Sequence, residues 1–166
     1  MIGSQASMVA RSLSDLKPRL TNMLGRLAIY SIIIIAAAVT ASAQSAYTPE
    51  KGSPERKAIL DALRIPLEKE LKQKIVFATD NFKVQGMWVF VSCTPQTPGG
   101  GRPDYSKTRY REAVDSGAFD NNFFALLRKS GGKWRVVTKA IGCTDVCYAD
   151  WWSRYKAPKA IFPYTE

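Results

Sequence analysis

The sequence predicts a small α+β domain in which an N-terminal helix packs on a four-stranded antiparallel meander sheet, and a short aromatic helix ends the chain. Three observations lead to this fold class. One segment repeats apolar residues every four positions, four β-rich segments follow it, and short glycine turns separate neighbouring strands at two places. The predicted domain covers residues 53–166, and the polar stretch 44–52 before it is expected to be a flexible lead-in.

The helix is predicted to begin after Ser53. Serine is a favoured N-cap, and Pro54 and Glu55 suit the first turn of a helix. Pro66 lies inside the pattern and is expected to kink the helix or divide it in two, because proline lacks the backbone donor. The apolar stripe that would face the core consists of Ile59, Leu63, Leu67 and Leu71.

Strands are predicted at four places from their content of β-branched and aromatic residues. They cover 74–84, 87–94, 122–129 and 134–141, with a tight turn between the last two. The Pro- and Gly-rich connection 95–121 is much longer than an ordinary hairpin loop, so we expect it to be either mobile or functional.

The last helix is predicted to begin at Asp145 with Thr144 as its N-cap. It would carry Tyr148, Trp151 and Trp152, flanked by Asp145 and Asp150. One interpretation is a binding face in which the aromatic rings stack on a ligand and the carboxylates accept its hydrogen bonds. The alternative is that the rings pack in the core and Asp145 helps to cap the helix.

A second candidate site is the basic part of the long connection. Arg102, Tyr105, Lys107, Arg109 and Arg111 place cations among aromatic rings, a combination that suits an anionic partner. The alternative is a solvated loop whose charges contact only water. Carboxylates elsewhere in the domain show no spacing that singles out an acid–base pair.

The first 43 residues are typical of a secretory signal peptide with an extended n-region. Arg26 precedes an uncharged, nearly all apolar run at 27–39, and Ala41 and Ala43 fit the small-residue cleavage pattern, so cleavage is expected after Ala43. The run is shorter than the roughly 20 apolar residues of a membrane span. The protein is therefore expected to be exported, periplasmic or secreted. The alternative is an uncleaved anchor that tethers it to the membrane.

The charge balance predicts an anionic partner. The whole chain has a net charge of +10, and residues 44–166 carry 20 Lys and Arg against 13 Asp and Glu. In an exported protein this favours an anionic envelope component or an acidic protein over nucleic acid. Contact with a membrane is expected only if the apolar run is retained. The chain has no histidine, which disfavours Cys–His and Ser–His–Asp catalysis and leaves no cofactor or metal predicted.

Three cysteines leave one thiol without a partner if a disulfide forms. Cys143 and Cys147 are the nearest pair in the sequence and are the disulfide candidate, with Cys93 as a buried thiol in the second strand. A bridge from Cys93 to one of the other two remains an alternative at this stage.

The order helix, strand, strand, long loop, strand, tight turn, strand resembles the half-cone of cystatin-like and NTF2-like proteins. Residues 52–56, 123–129, 132–137 and 144–146, with Trp151 and Trp152, also resemble small exported bacterial proteins. The resemblance implies a fold, in which a curved antiparallel sheet wraps one helix, and transfers no catalytic residue.

The function predicted from these observations is that of an exported, non-catalytic binding domain, inhibitor-like or accessory. Two alternatives remain open. The first is a membrane-tethered envelope protein. The second is an NTF2-like enzyme for a small ligand, working with Asp and Tyr because histidine is absent.

Overall fold

The computed structural model of the protein describes residues 44–166, and the predicted signal peptide at 1–43 lies outside the described residues. The predicted α+β class is confirmed: one long helix, a four-stranded antiparallel meander and a short C-terminal helix follow one another. The elements are α1 (Pro54–Leu71), β1 (Val76–Gln85), β2 (Trp88–Gln96), α2 (Arg111–Asp115), β3 (Phe123–Ser130), β4 (Lys133–Ile141), α3 (Trp151–Arg154) and a 3-10 turn (Lys159–Ile161).

Helix α1 begins as predicted and runs as one helix of 18 residues. The Ser53 Oγ accepts the backbone N–H of Arg56 at 3.2 Å, which satisfies one of the free donors of the first turn. The prediction that Pro66 divides the helix in two is wrong. Pro66 is exposed, and the helix continues through it although proline supplies no backbone donor to the preceding turn. The helix ends at Leu71, and the left-handed backbone of the following Lys72 (φ 55°) closes the last turn.

The sheet has the strand order β1-β2-β3-β4, and every pairing is antiparallel. Its two tight turns therefore lie at the same end of the sheet, where the backbone N–H of Lys129 donates to Met87 O at 2.8 Å. Two bulges interrupt the register, one at Asp80 in β1 and one at Val137 in β4. Each adds an unpaired residue to its strand and bends the strand locally.

One face of the sheet packs on α1 and is filled with apolar side chains. Leu63, in the middle of the helix stripe, is 0 % exposed, and the strand residues it packs among are equally buried. This burial confirms that the four-residue repeat is a core stripe. The fully buried side chains of this interface include Ile59, Leu63, Leu67, Val84, Val89, Val91, Ala125 and Leu127.

The other face of the sheet is covered by the C-terminal segment. Phe90 and Leu126 are fully buried there beneath Tyr148, Trp151 and Ile161. The Phe90 ring lies 4.8 Å from the Tyr148 ring and 6.3 Å from the Trp151 ring, centroid to centroid. A sheet that is apolar on both faces needs a cover on each, and the aromatic C-terminus supplies the second one.

The C-terminal helix differs from the prediction. It begins at Trp151, and residues 144–150 form turns, so Thr144 is not its N-cap. The Asp145 carboxylate accepts the backbone N–H of Val146 at 2.6 Å, and the Cys147 N–H donates to Asp145 O at 2.9 Å. These local bonds compete with helical ones, as short polar side chains commonly do.

The lead-in at 44–52 also differs from the expected flexible segment, because it is attached to the domain at two places. Tyr47 forms a β-bridge with Val84, with backbone bonds of 2.9 and 2.8 Å. The Tyr47 hydroxyl donates to Glu55 at 2.8 Å, which joins the lead-in to the first turn of α1. The lead-in thus extends the sheet edge next to β1.

Among the described residues, 44–166, no helix is both long and apolar enough to cross a membrane.

Candidate functional site

The long connection between β2 and β3 is folded against the end of α1. Tyr105 and Phe119 are buried and Tyr110 is half-buried. Their ring centroids lie 4.7 Å (Tyr105–Phe119) and 5.5 Å (Tyr110–Phe119) apart, so the three side chains form one aromatic cluster. Gly142 fits beside it with φ +75°, and a Cβ at that position would lie 2.2 Å from the Phe119 ring. The connection is therefore anchored by packing at three points.

Three of the predicted basic residues of this connection have partners within the domain. Arg109 lies 2.7 Å from a Glu70 oxygen and also donates to the Tyr110 hydroxyl at 2.8 Å. Arg111 pairs with Asp115 at 3.5 Å. The Arg102 guanidinium lies over the Tyr105 ring at 5.5 Å. All three cations are exposed. Arg109 and Arg111 already pair with carboxylates, whereas Arg102 contacts a ring and has no carboxylate oxygen within 4.0 Å among residues 44–166.

Lys107 has no carboxylate oxygen within 4.0 Å among the described residues, but an acidic residue lies near it in the chain. The neighbouring Asp104 carboxylate accepts the backbone N–H of Ser106 at 2.8 Å, and this hydrogen bond, with a smaller contribution from the Lys107 charge, lowers the pKa of Asp104. Asp104 therefore keeps its negative charge beside Lys107. The predicted basic loop is a mixed-charge surface, which weakens its case as an anion site.

Glu70 of α1 attaches the long connection to the rest of the domain. It accepts hydrogen bonds from the Tyr110 hydroxyl and from Lys139 of β4. Burial alone would raise the pKa of Glu70, but the bonds from Lys139 and Tyr110 and the charges of Lys139 and Arg109 outweigh it, and the pKa is lowered. Burial and the Glu70 carboxylate raise the pKa of Tyr110 to about 12. Glu70, Tyr110, Lys139 and Arg109 therefore bind one another, and their contacts hold the connection against α1 and β4.

The predicted aromatic and acidic face is divided by the fold. Tyr148 and Trp151 are buried in the C-terminal cover, whereas Asp145 and Asp150 are exposed. Asp150 pairs with Arg154 at 3.1 Å. Trp152 is half-buried, and its Nε1 donates to Glu166 O at 2.8 Å. The rings and the carboxylates do not share one surface, so the stacking site expected there is not assembled.

The cysteines pair as the sequence suggested. Cys143 and Cys147 form a disulfide with their α-carbons 6.2 Å apart, and Cys93 is a free, buried thiol. Burial, with a smaller contribution from the Asp80 charge, raises the pKa of Cys93 far above its usual range. A thiol in this state is a poor nucleophile, so Cys93 is a core residue.

The sequence reasoning missed a basic surface at the opposite end of the sheet, where the two tight turns lie. In the strand register Trp88 stands next to Arg128, and Arg128 stands next to Arg135. Lys133 lies two residues before Arg135 and so shares its face of the sheet. We call these four residues, Trp88, Arg128, Lys133 and Arg135, the hairpin-end surface. It faces away from α1, on the side of the sheet that also carries Phe90.

The cations of the hairpin-end surface have no acidic partner. Arg128, Lys133 and Arg135 are exposed, and among residues 44–166 no carboxylate oxygen lies within 4.0 Å of any of them. The Arg128 guanidinium lies over the Trp88 ring, 5.2 Å from its centroid. Like charges directly opposite each other on a sheet are unfavourable, so the Arg128–Arg135 pair costs stability in the free protein. An anion bound between them would remove this repulsion.

The signal that could have found this surface is present in the sequence. The run from Arg128 to Arg135 places four cations around a Gly-Gly turn with no acidic residue among them. Side chains alternate between the two faces of a strand, so Lys133 and Arg135 share a face. A tight turn then pairs Arg135 with Arg128, which brings all three cations to that face.

The described part of the chain contains no group of three or more Cys, Asp or Glu side chains that could hold a metal ion. Comparison with protein-family models, with curated proteins and with solved structures found no match, so the chemistry of the surface is the basis for assigning a function.

Proposed function

We propose that residues 44–166 form a non-catalytic binding domain of an exported protein, and that its hairpin-end surface binds an anionic component of the cell envelope. One observation carries this proposal: three exposed cations share one face of the sheet beside an indole ring, and none of them has a carboxylate partner among the described residues.

The chemistry of the surface suits phosphate, sulfate or carboxylate groups. A guanidinium presents its N–H donors in a planar fork that matches these groups in bidentate geometry. Stacking on Trp88 restricts the Arg128 side chain, so less conformational entropy is lost when an anion binds. A ligand with several anionic groups would contact Arg128, Lys133 and Arg135 together.

The interior of the domain favours a binding function over an enzymatic one. The interface between α1 and the sheet is filled by fully buried apolar side chains, including Leu63, Val91 and Leu127. An enzyme of the half-cone type would need an open pocket with polar groups at that place. Recognition through the surface is the simpler use of this architecture.

The disulfide supports the exported setting. The Cys143–Cys147 bridge would be reduced in most cytosolic compartments and persists in an oxidising one. Together with the signal-like segment in the sequence, it favours a partner outside the cytosol, such as an acidic glycan or a charged lipid headgroup.

The proposal can be tested with a triple variant, Arg128→Ser, Lys133→Ser and Arg135→Ser. Binding is measured by calorimetry and by the intrinsic fluorescence of the four tryptophans, of which Trp88 lies at the surface in question, with heparin as a soluble polyanion and anionic phospholipid vesicles as a surface probe. We expect the wild-type domain to bind at least one probe with an affinity that falls as salt rises, and the triple variant to lose most of that affinity.

A matched control removes the same number of charges elsewhere. The variant Arg102→Ser, Lys107→Ser, Arg111→Ser changes the net charge equally but leaves the hairpin-end surface intact, so its binding should stay close to wild type. Equal losses in both variants would show that only net charge matters and would contradict the assigned site. Failure of the wild-type domain to bind either probe would contradict the function itself.

A further inference from the structure

Arg56 is a buried cation without an acidic partner. Its residue is 9 % exposed, and no carboxylate oxygen among residues 44–166 lies within 4.0 Å of its guanidinium. Nη1 donates to Pro49 O at 3.2 Å and Nη2 donates to Thr79 Oγ1 at 2.7 Å, so both bonds go to uncharged oxygens. The Phe82 ring lies under the guanidinium at 4.4 Å. Buried charges in proteins are normally paired, which makes this environment unusual.

A cavity of about 400 Å³ opens beside this guanidinium. Arg56 and Thr79 form part of its lining, together with the lead-in and the bulged segment of β1 around Asp80. Bulges are frequent next to binding sites, because the extra residue reshapes the strand edge. The attached lead-in closes one side of the cavity, and without its bridge from Tyr47 to Val84 the cavity would lose that wall.

The charges around the cavity indicate what it would hold. Lys51 and Lys83 add two positive charges to that of Arg56, and Glu50 and Asp80 add two negative ones. The lining therefore has a net charge of one positive unit, which balances a single carboxylate better than a phosphate or a polyanion. The two acidic residues are exposed to water, whereas the arginine is buried, so the uncompensated charge is the one deepest in the cavity.

We propose that this cavity is a binding site for a small ligand with one carboxylate group, which pairs with the Arg56 guanidinium while Lys83 assists at the rim. The inference is independent of the hairpin-end surface, which lies elsewhere and takes a ligand with several charges. Five N–H donors are available on a guanidinium and two are used here, so the remainder can bind a carboxylate.

The test follows the side-chain Nε–H signal of Arg56 by NMR in the nitrogen-labelled domain. Acetate and N-acetylglycine are the probes, and N-acetylglycinamide is the neutral control of nearly equal shape. We expect a saturable shift with both carboxylates and none with the amide. An equal shift with the amide, the absence of any shift, or tighter binding of inorganic phosphate than of either carboxylate would overturn the proposal.

Variants locate the binding in the cavity. Arg56→Lys tests the guanidinium directly, but it risks unfolding the first turn of α1. Lys83→Gln changes only a rim charge and should raise the Kd for N-acetylglycine by roughly threefold to fivefold. Lys57→Gln, on the same helix but outside the cavity and paired with Asp61, is the matched control and should leave the Kd unchanged. Equal Kd values for Lys83→Gln and the wild type would contradict the site.

The ligand could be a free acid or the carboxyl end of a peptide, and a further probe distinguishes the two. Acetylated triglycine carries the same terminal carboxylate on a longer chain. If it binds more tightly than N-acetylglycine, the site recognises a peptide terminus. Weaker binding assigns the site to a free acid, because the longer chain would then be sterically excluded. Both results support the carboxylate site and differ only in its source.

Discussion

Replacing Glu70 by glutamine should release the long connection from the rest of the domain. Glu70 lies in the last turns of α1, and its carboxylate accepts hydrogen bonds from Tyr110 in the connection and from Lys139 in β4. Its side chain is 22 % exposed. One carboxylate thus joins a helix, a loop and a strand, and no other group takes its place in the variant.

The size of the effect follows from the exposure of each partner. Lys139 is 28 % exposed, so its bond to Glu70 is partly shielded from water, whereas Arg109 is 71 % exposed and contributes little. A hydrogen bond to a charged group contributes about 1.5–3 kcal/mol when shielded. Glutamine keeps an acceptor for Tyr110 but loses the charge that pairs with Lys139. We expect Glu70→Gln to lower the free energy of unfolding by about 1–3 kcal/mol.

The effect should depend on pH in a defined direction. The pKa of Glu70 is lowered in the folded state, because the bonds from Lys139 and Tyr110 outweigh desolvation. A carboxylate with a lowered pKa stabilises the fold above its unfolded pKa, and this contribution is lost as the pH falls through the folded pKa. The difference between variant and wild type is therefore full at about pH 7 and shrinks below about pH 4.

Urea unfolding of both proteins at these two pH values measures the difference. Glu112→Gln, which removes an exposed carboxylate of α2, is the matched control and should leave the unfolding midpoint unchanged. Equal stability of Glu70→Gln and wild type at neutral pH would refute the reasoning. A loss of stability that persists undiminished in acid would also refute it, because the effect would then arise from packing and not from charge.

Three further predictions concern the core and the cysteines. Leu63→Ala should lower the free energy of unfolding by about 2–5 kcal/mol in a denaturant titration, because the Leu63 side chain is fully buried. Ile65 lies on the same helix but is 70 % exposed, so Ile65→Ala should change the free energy of unfolding by less than about 0.5 kcal/mol. Gly142→Ala should lower the free energy of unfolding, measured by thermal denaturation, by more than about 2 kcal/mol, because the new Cβ would collide with the buried Phe119 ring. At Gly132 a Cβ would meet open space, so Gly132→Ala should lower it by only about 1 kcal/mol, the cost of a positive φ. Thiol labelling of the unfolded, non-reduced protein should modify one cysteine, Cys93, and labelling of two more would contradict the bridge.

The helix and the sheet could be predicted because their signals are local. The stripe around Leu63 and the alternation in β4 depend only on residues within a few positions of each other. The start of α3 could not be placed in the same way. The turns at 144–150 depend on a carboxylate that bonds its neighbour's backbone and on a disulfide across four residues, and both compete with a helix that the sequence alone would allow.

The packing of the long connection was missed for a different reason. Its glycines and prolines correctly exclude long regular elements, but they say nothing of whether the segment is anchored. The anchors are Tyr105, Tyr110 and Phe119, and the side chains that receive them belong to α1 and to the end of β4. An aromatic residue in a loop indicates attachment only when a hydrophobic surface lies within reach, and that surface exists only in the folded protein.

The charge environment of the proposed anion-binding surface depends on both the sequence and the fold. The connection 95–121 and the run from Arg128 to Arg135 each contain four cations, but the connection also contains four acidic residues and the run contains none. The fold adds to this local difference: Glu70 on α1 lies 2.7 Å from Arg109, 39 positions away, whereas among the described residues no carboxylate oxygen lies within 4.0 Å of Arg128, Lys133 or Arg135. The antiparallel pairing of β3 and β4 brings Arg128 and Arg135 opposite each other, on the face of the sheet that points away from α1. The proposed anion-binding surface thus depends both on a run without acidic residues and on a strand pairing that gathers its cations on one face.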